Sequence, residues 1–329
     1  MLIVIEKEND VKKAQKQLER KMNGVAEKHG TILMGGKGWH TDREVNWNSD
    51  LGIWWTTEEE KDRYWNSFGT GEPKWNIRYP HSITCEINLF KGKYRRTQGA
   101  VAIDENGKLY LLHRGRIGGG REGIGKALFM ENFNGEWETV RDGDSTVQMA
   151  LIAAFDSERF PQQVANFVNE VERIKNIKSI KIKPTLDVEA IFKEEFSGIK
   201  KISQIHEIEA KCDHGLVVNS LAKKLKYEGF TVGNRAQMDL YIVGKNMKIE
   251  ALFEIKTDTT IQNCYNAIGQ LLFHSCKFRA KPVMIAVFPS TLGKNHKAVF
   301  EKLGINILTY RWVNNQPCFS NFKSPLKIG

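Results

Sequence analysis

The sequence predicts two domains, an α+β N-terminal domain followed by an α/β C-terminal domain. Three observations carry this. The C-terminal part reads in the order α-β-β-β-α-β-α-β, an alternation typical of α/β proteins. Tryptophan is unevenly placed: Trp39, Trp47, Trp54, Trp55, Trp65, Trp75 and Trp137 lie in the first 140 residues, and only Trp312 lies beyond. Charge is uneven too, since residues 201–329 carry 18 Lys and Arg against 9 Asp and Glu, whereas residues 1–200 carry 31 against 30. A chain of 329 residues has the length of two ordinary domains. The expected division is 1–185 for an aromatic-rich domain, 186–205 for a linker and 206–329 for the second domain.

The first 30 residues read as a short strand and then a helix. Val11, Ala14, Leu18, Met22 and Val25 recur at intervals of three and four, with Gly24 weakening the end and Gly30 a natural stop. Residues 39–80 are aromatic-rich and fit neither period. Residues 83–113 read as strands, the second pair forming a hairpin around Asn106-Gly107. A strand over 146–156 and a helix over 160–175 follow. The boundary falls between about 176 and 205. There Lys175, Lys178, Lys181 and Lys183 alternate with isoleucines, Pro184 follows, and an acidic stretch runs from Asp187 to Phe196.

The C-terminal elements are plainer. A helix over 213–228 places Val217, Leu221 and Leu225 on one face, with Asp213 as N-cap and Gly229 as stop. Strands are expected at Phe230–Val232, Asp239–Val243 and Ile249–Lys256, the last two joined through Gly244-Lys245-Asn246. A helix over about 261–276, a strand at Val283–Phe288, a helix near 295–303 and a strand at Ile305–Tyr310 complete the order.

Hydrophobic residues make up 41% of the chain and charged residues 27%, so disorder is excluded as its main state. The N-terminal MLIVIEKEND run is far too short to span a bilayer and lacks the layout of a signal peptide, so no membrane partner and a cytoplasmic location are expected. Cys85, Cys212, Cys264, Cys276 and Cys318 form no C-x-x-C pair, which argues against a disulfide framework or a structural zinc site. The net charge of +10, nearly all of it C-terminal, suits a polyanionic partner; a surplus serving solubility alone is the competing reading.

One constellation carries chemistry. Glu254 and Lys256 lie two apart near the end of a strand, so their side chains share a face while Phe253 and Ile255 take the other. If the strands on either side of residue 245 pair, Asp239 approaches Glu254. Two carboxylates and an ammonium at one end of a sheet suit metal-assisted phosphodiester hydrolysis, because Mg²⁺ prefers hard oxygen ligands. Taken alone, a Glu and a Lys two apart on a strand make an ordinary surface ion pair.

The blocks H214-G-L-V-V-N-S-L, D239-L, F253-E-I-K and A267-I-G-Q-L-L, in that order, resemble the PD-(D/E)XK nuclease superfamily and its restriction-endonuclease-like branch. The resemblance implies a central mixed sheet flanked by helices. It implies Asp239 and Glu254 as metal ligands for Mg²⁺, with Mn²⁺ able to substitute. Lys256 would be the catalytic lysine, Gln270 a supporting residue on the following helix, and His214 a group touching metal or water. Met238 stands where the motif's proline would be. A restriction or anti-phage role, double-stranded DNA as substrate and a homodimer to cut both strands are further implications.

Residues 114–126, RGRIGGGREGIGK, form the most conspicuous glycine run. Gly120, Gly125 and Lys126 match G-x-x-x-x-G-K, but Ala127 stands where a metal-binding hydroxyl would be. A loop carrying Arg114, Arg116, Arg121 and Lys126 to clamp nucleic-acid phosphates is the better reading, with an ordinary connection as its alternative. The N-terminal tryptophans could stack on an unpaired or modified base, although core packing is the commoner fate of tryptophan. The expected activity is therefore a metal-dependent endonuclease with an N-terminal recognition domain. The alternatives are a nucleic-acid-binding protein with an inactive nuclease fold, a repair or junction nuclease, and a small-molecule enzyme using the glycine loop.

Overall fold

The computed structural model of the protein describes residues 1–36, 39–75, 80–92, 98–118, 123–133, 135–177, 204–235, 238–244, 248–320 and 322. The described residues form three β-sheets and six helices. The chain opens with β1 (Leu2–Val4) and α1 (Glu8–Asn23). Val11, Ala14, Leu18 and Met22 make the buried stripe of α1. Glu8 and Asp10 lie in its first turn and Arg20 and Lys21 in its last, which complements the helix dipole. The helix ends at Gly24, whose N–H reaches the Arg20 carbonyl at 3.0 Å. Gly30, expected as the stop, lies inside the next strand instead.

An antiparallel meander follows: β2 (Lys28–Gly36), β3 (Trp39–Asn48), β4 (Ile53–Glu59), β5 (Arg63–Thr70) and β6 (Cys85–Glu86), with β7 (Leu89–Phe90) also paired to β5. β3, β4 and β5 occupy the aromatic stretch at 39–80 that fits no sequence period. The reason is burial on both faces. Ile53, Trp55 and Phe68 pack into the core beneath α1, whereas Trp47, Trp54 and Trp65 form a second cluster on the other side. With both faces apolar, the period-2 signal vanishes. Trp54 pairs across the ladder with Gly69, and a Cβ at position 69 would lie 2.1 Å from the indole, so only glycine fits there.

β8 (Gly99–Ile103) and β9 (Leu109–His113) form the expected hairpin, with Gly107 at φ +83° in its turn. The short helix α2 (Lys126–Asn132), β10 (Trp137–Asp142), β11 (Ser145–Ala154) and α3 (Phe160–Asn176) come next. β1 returns here, and β1-β10-β11-β9-β8 close into a five-stranded barrel. The acidic stretch at 187–196 and all but the last two residues of the expected linker at 186–205 lie outside the described residues.

The remaining elements are α4 (Gln204–Tyr227), β12 (Thr231–Arg235), β13 (Met238–Val243), β14 (Ile249–Ile255), α5 (Ile261–Ser275), β15 (Val283–Pro289), α6 (Lys294–Lys302), β16 (Ile305–Val313) and β17 (Gln316–Ser320). Their six strands form one sheet in chain order. β12, β13 and β14 are antiparallel, β14, β15 and β16 parallel, and β17 antiparallel to β16. Val217, Leu221 and Leu225 of α4 pack with Leu240, Phe253 and Ile285 in one core. Cys264, Ala267 and Leu271 of α5 pack with Leu252, Met284 and Phe288 in another. The mixed sheet is thus covered by helices on both faces.

Two details depart from the sequence reading. Asp213 lies within α4 rather than capping it. Its carboxylate takes a bidentate pair from Arg159, at 3.0 and 2.6 Å, and a hydrogen bond from Gln163 Nε2 at 2.9 Å. β17 was not foreseen. It follows a tight turn in which Asn314 and Asn315 adopt φ of 48° and 59°, the left-handed geometry that a two-residue hairpin demands.

Candidate active site

The ladder between β13 and β14 sets Leu240 opposite Phe253, which brings the start of one strand beside the end of the other. Leu240, Phe253 and Ile255 face α4. Glu254 and Lys256, which alternate with them, take the face toward α5, and Asp239 lies at the strand end between the two helices. Asp239 Oδ2 accepts the backbone N–H of Ile255 at 2.7 Å, and Asp239 Oδ1 lies 3.2 Å from His214 Nε2 on α4. The Lys256 N–H extends the parallel pairing to the Val287 carbonyl at 2.9 Å. Its ammonium donates to Glu254 Oε1 at 2.5 Å and to Gln270 Oε1, on α5, at 3.0 Å. The structure therefore brings together all five residues singled out in the C-terminal part: His214, Asp239, Glu254, Lys256 and Gln270.

The electrostatics follow from burial and neighbours. Burial, and then the Asp239 charge, push the Glu254 carboxyl up to about 7, and the Lys256 ammonium does not fully offset them. Burial also pushes Asp239 upward, but the facing His214 charge, its hydrogen bond and the Ile255 N–H outweigh it, so the net shift is down. For His214, burial pulls downward and is outweighed by Asp239, with Glu136 adding to the upward shift. Asp239 and His214 thus hold each other charged, while Glu254 lacks enough positive charge nearby to ionise easily.

Among the described residues, no group of three or more His, Cys, Asp and Glu is placed to hold a metal ion. Mg²⁺ does not need one: it is commonly held by one or two carboxylates and keeps several waters. The donor set fits. Asp239 and Glu254 are neighbouring hard oxygen donors, and Glu254 is a buried carboxylate whose charge burial and Asp239 oppose.

The glycine-run residues are placed elsewhere in the chain's architecture. Arg114 is ion-paired with Asp142 at 3.2 Å, Arg116 is exposed beside the end of β9, and Lys126 opens α2. Arg121 lies outside the described residues. Trp47, Trp54, Trp55 and Trp65 are buried in cores and cannot stack on a base. Sequence reasoning missed Asn166, Asn219 and Asn234, which line a cavity beside Asp239. They sit on α3, α4 and β12, and no spacing in the sequence relates them.

Comparison of the chain with protein-family models, with curated proteins and with solved structures finds no match.

Proposed function

We propose that the protein is a metal-dependent endonuclease that hydrolyses phosphodiester bonds, with DNA as the expected substrate. One observation carries the reading: Asp239, Glu254, Lys256 and Gln270 converge at the end of β14, joined by the short Lys256–Glu254 and Lys256–Gln270 contacts. The basic surplus of residues 201–329 supports a polyanionic substrate. Asp239 and Glu254 would hold Mg²⁺, which supplies polarisation of a phosphoryl oxygen when bound.

The chain's own residues have distinct tasks. In the reaction the oxygen of water bonds to phosphorus, one P–O ester bond breaks, and the water's proton ends on the departing oxygen. Glu254 and Gln270 hold the Lys256 ammonium at the strand end, where its remaining N–H can donate to an oxygen that gains charge. His214 fixes one oxygen of Asp239 and the Ile255 N–H the other, so that carboxylate is set before substrate arrives. The N-terminal half would select the substrate. Cutting both strands of a duplex in one event would take two copies of the chain.

The test is cleavage of plain, branched, single-stranded and base-modified DNA, and of RNA, with Mg²⁺, Mn²⁺ or EDTA. Cutting that needs the metal and falls by about 100-fold or more in Lys256→Ala and Asp239→Ala is expected. Binding without metal-dependent cutting of any of these substrates would overturn the reading in favour of a nucleic-acid-binding protein.

A further inference from the structure

Beside the Asp239–His214 pair, a cavity in which the centre of a water-sized sphere can range over about 80 Å³ runs between α3, α4, the end of β12 and the end of the barrel. Its polar lining has a definite pattern. Asn219 Nδ2 donates to Asn166 Oδ1 across the two helices. That bond leaves Asn166 Nδ2 as a donor and Asn219 Oδ1 as an acceptor, with no other partner among the described residues. Gly215 makes the approach possible, because a Cβ there would lie 2.6 Å from Asn166 Nδ2. Asn234 lines the cavity as well, and its side chain makes no hydrogen bond among the described residues. Phe133 and Phe167 supply apolar wall.

The charges on the wall favour an uncharged occupant over an anion. Glu136, Glu170 and Asp239 line the cavity with His214 as the one basic group of that lining; Asp239 is paired with His214 and Glu170 with Arg173. An uncharged planar ring that carries both an acceptor and a donor suits the free groups of Asn166, Asn219 and Asn234. Every nucleobase carries both. Glu136 adds an acceptor, which favours bases bearing an amino group.

We propose that this cavity receives a single nucleobase, turned out of the stack next to the phosphodiester that is cut at the Asp239–Glu254 site. The inference rests on the nuclease reading and deepens it: the enzyme would act where a base can leave its partner, at mismatched, modified or unpaired positions, since extrusion is least costly there.

The test uses the full chain and duplexes in which adenines are replaced by 2-aminopurine, in EDTA so that no strand is cut. 2-Aminopurine keeps an adjacent acceptor and donor and brightens when unstacked. A several-fold rise in fluorescence on binding is expected. It should be largely lost in the near-isosteric Asn166→Asp, which turns the donor into an acceptor, and reduced in Asn234→Ala, while both variants still bind the duplex by anisotropy. No rise with the wild type, or a rise unchanged in both variants, would overturn the proposal. The nuclease reading fails separately, by an absence of metal-dependent cutting in the cleavage assay.

Discussion

The carboxylate of Asp239 accepts the backbone N–H of Ile255 at 2.7 Å, so a side chain at the start of β13 completes the hydrogen bonding at the end of β14. Ile255 lies between Glu254 and Lys256. One contact therefore fixes the spacing of the three charged groups, and the position of Asp239 is tied to that of its partners by a peptide N–H rather than by a mobile side chain.

Gln270 acts on Lys256 rather than on substrate, which makes it a positioning residue. Gln270→Ala should lower kcat by about 10-fold with KM little changed, and Gln270→Glu, which keeps an oxygen facing the ammonium, should recover most of the loss. Steady-state cleavage kinetics on one substrate would decide this. A change confined to KM would instead place Gln270 in substrate binding.

Stability should depend on pH through His113. This side chain is fully buried, its Nδ1 accepts the Gly115 N–H at 3.0 Å and its Nε2 lies 3.2 Å from the Glu86 carbonyl. Burial holds its pKa down to about 4. Between the usual histidine value and 4, the unfolded chain binds a proton that the native state refuses. Native stability therefore falls as pH drops through that window, by about 3 kcal/mol in all. The raised Glu254 carboxyl acts in the opposite sense over the same range, so denaturant titrations from pH 7 to pH 4 should be compared between the wild type and His113→Gln, whose difference should show this slope.

The Arg159–Asp213 pair joins the start of α3 to α4, and the Arg159 guanidinium also lies 4.4 Å from the centre of the Trp312 ring. Arg159→Ala leaves the buried Asp213 carboxylate with Gln163 alone. Urea unfolding should register a loss of about 2–3 kcal/mol.

Gly69→Ala places a methyl group against the Trp54 indole, where the backbone of a paired strand leaves no room to yield. A loss of about 1–3 kcal/mol or more is expected by thermal or chemical unfolding, together with a shift in tryptophan emission. A neutral outcome would mean that the two strands can separate locally.

Much of the C-terminal half was readable because its signals are local. The two-residue spacing of Glu254 and Lys256 fixes their shared face. The hairpin brings Asp239 to them, and the helical spacing of Val217, Leu221 and Leu225 marks the buried side of α4. The meander at β3–β5 was unreadable because Trp54 and Trp55, neighbours in the chain, are buried on opposite faces. Asp213 misled for a related reason: a carboxylate ahead of an apolar run suggests a cap, and only the fold reveals that Arg159, 54 residues away, satisfies it. The Asn166–Asn219 contact spans 53 residues and two helices, a distance over which no periodicity speaks.

α4 has one more consequence. Cys212, on its N-terminal side, packs into the barrel core with Leu112 and Met149, while Leu221 and Leu225 belong to the core of the mixed sheet. His214 lies between these anchors. The imidazole that braces Asp239 is thus carried on a helix held by two separate cores. Melting either end strips cover from the other, so the chain should lose its structure in a single calorimetric transition.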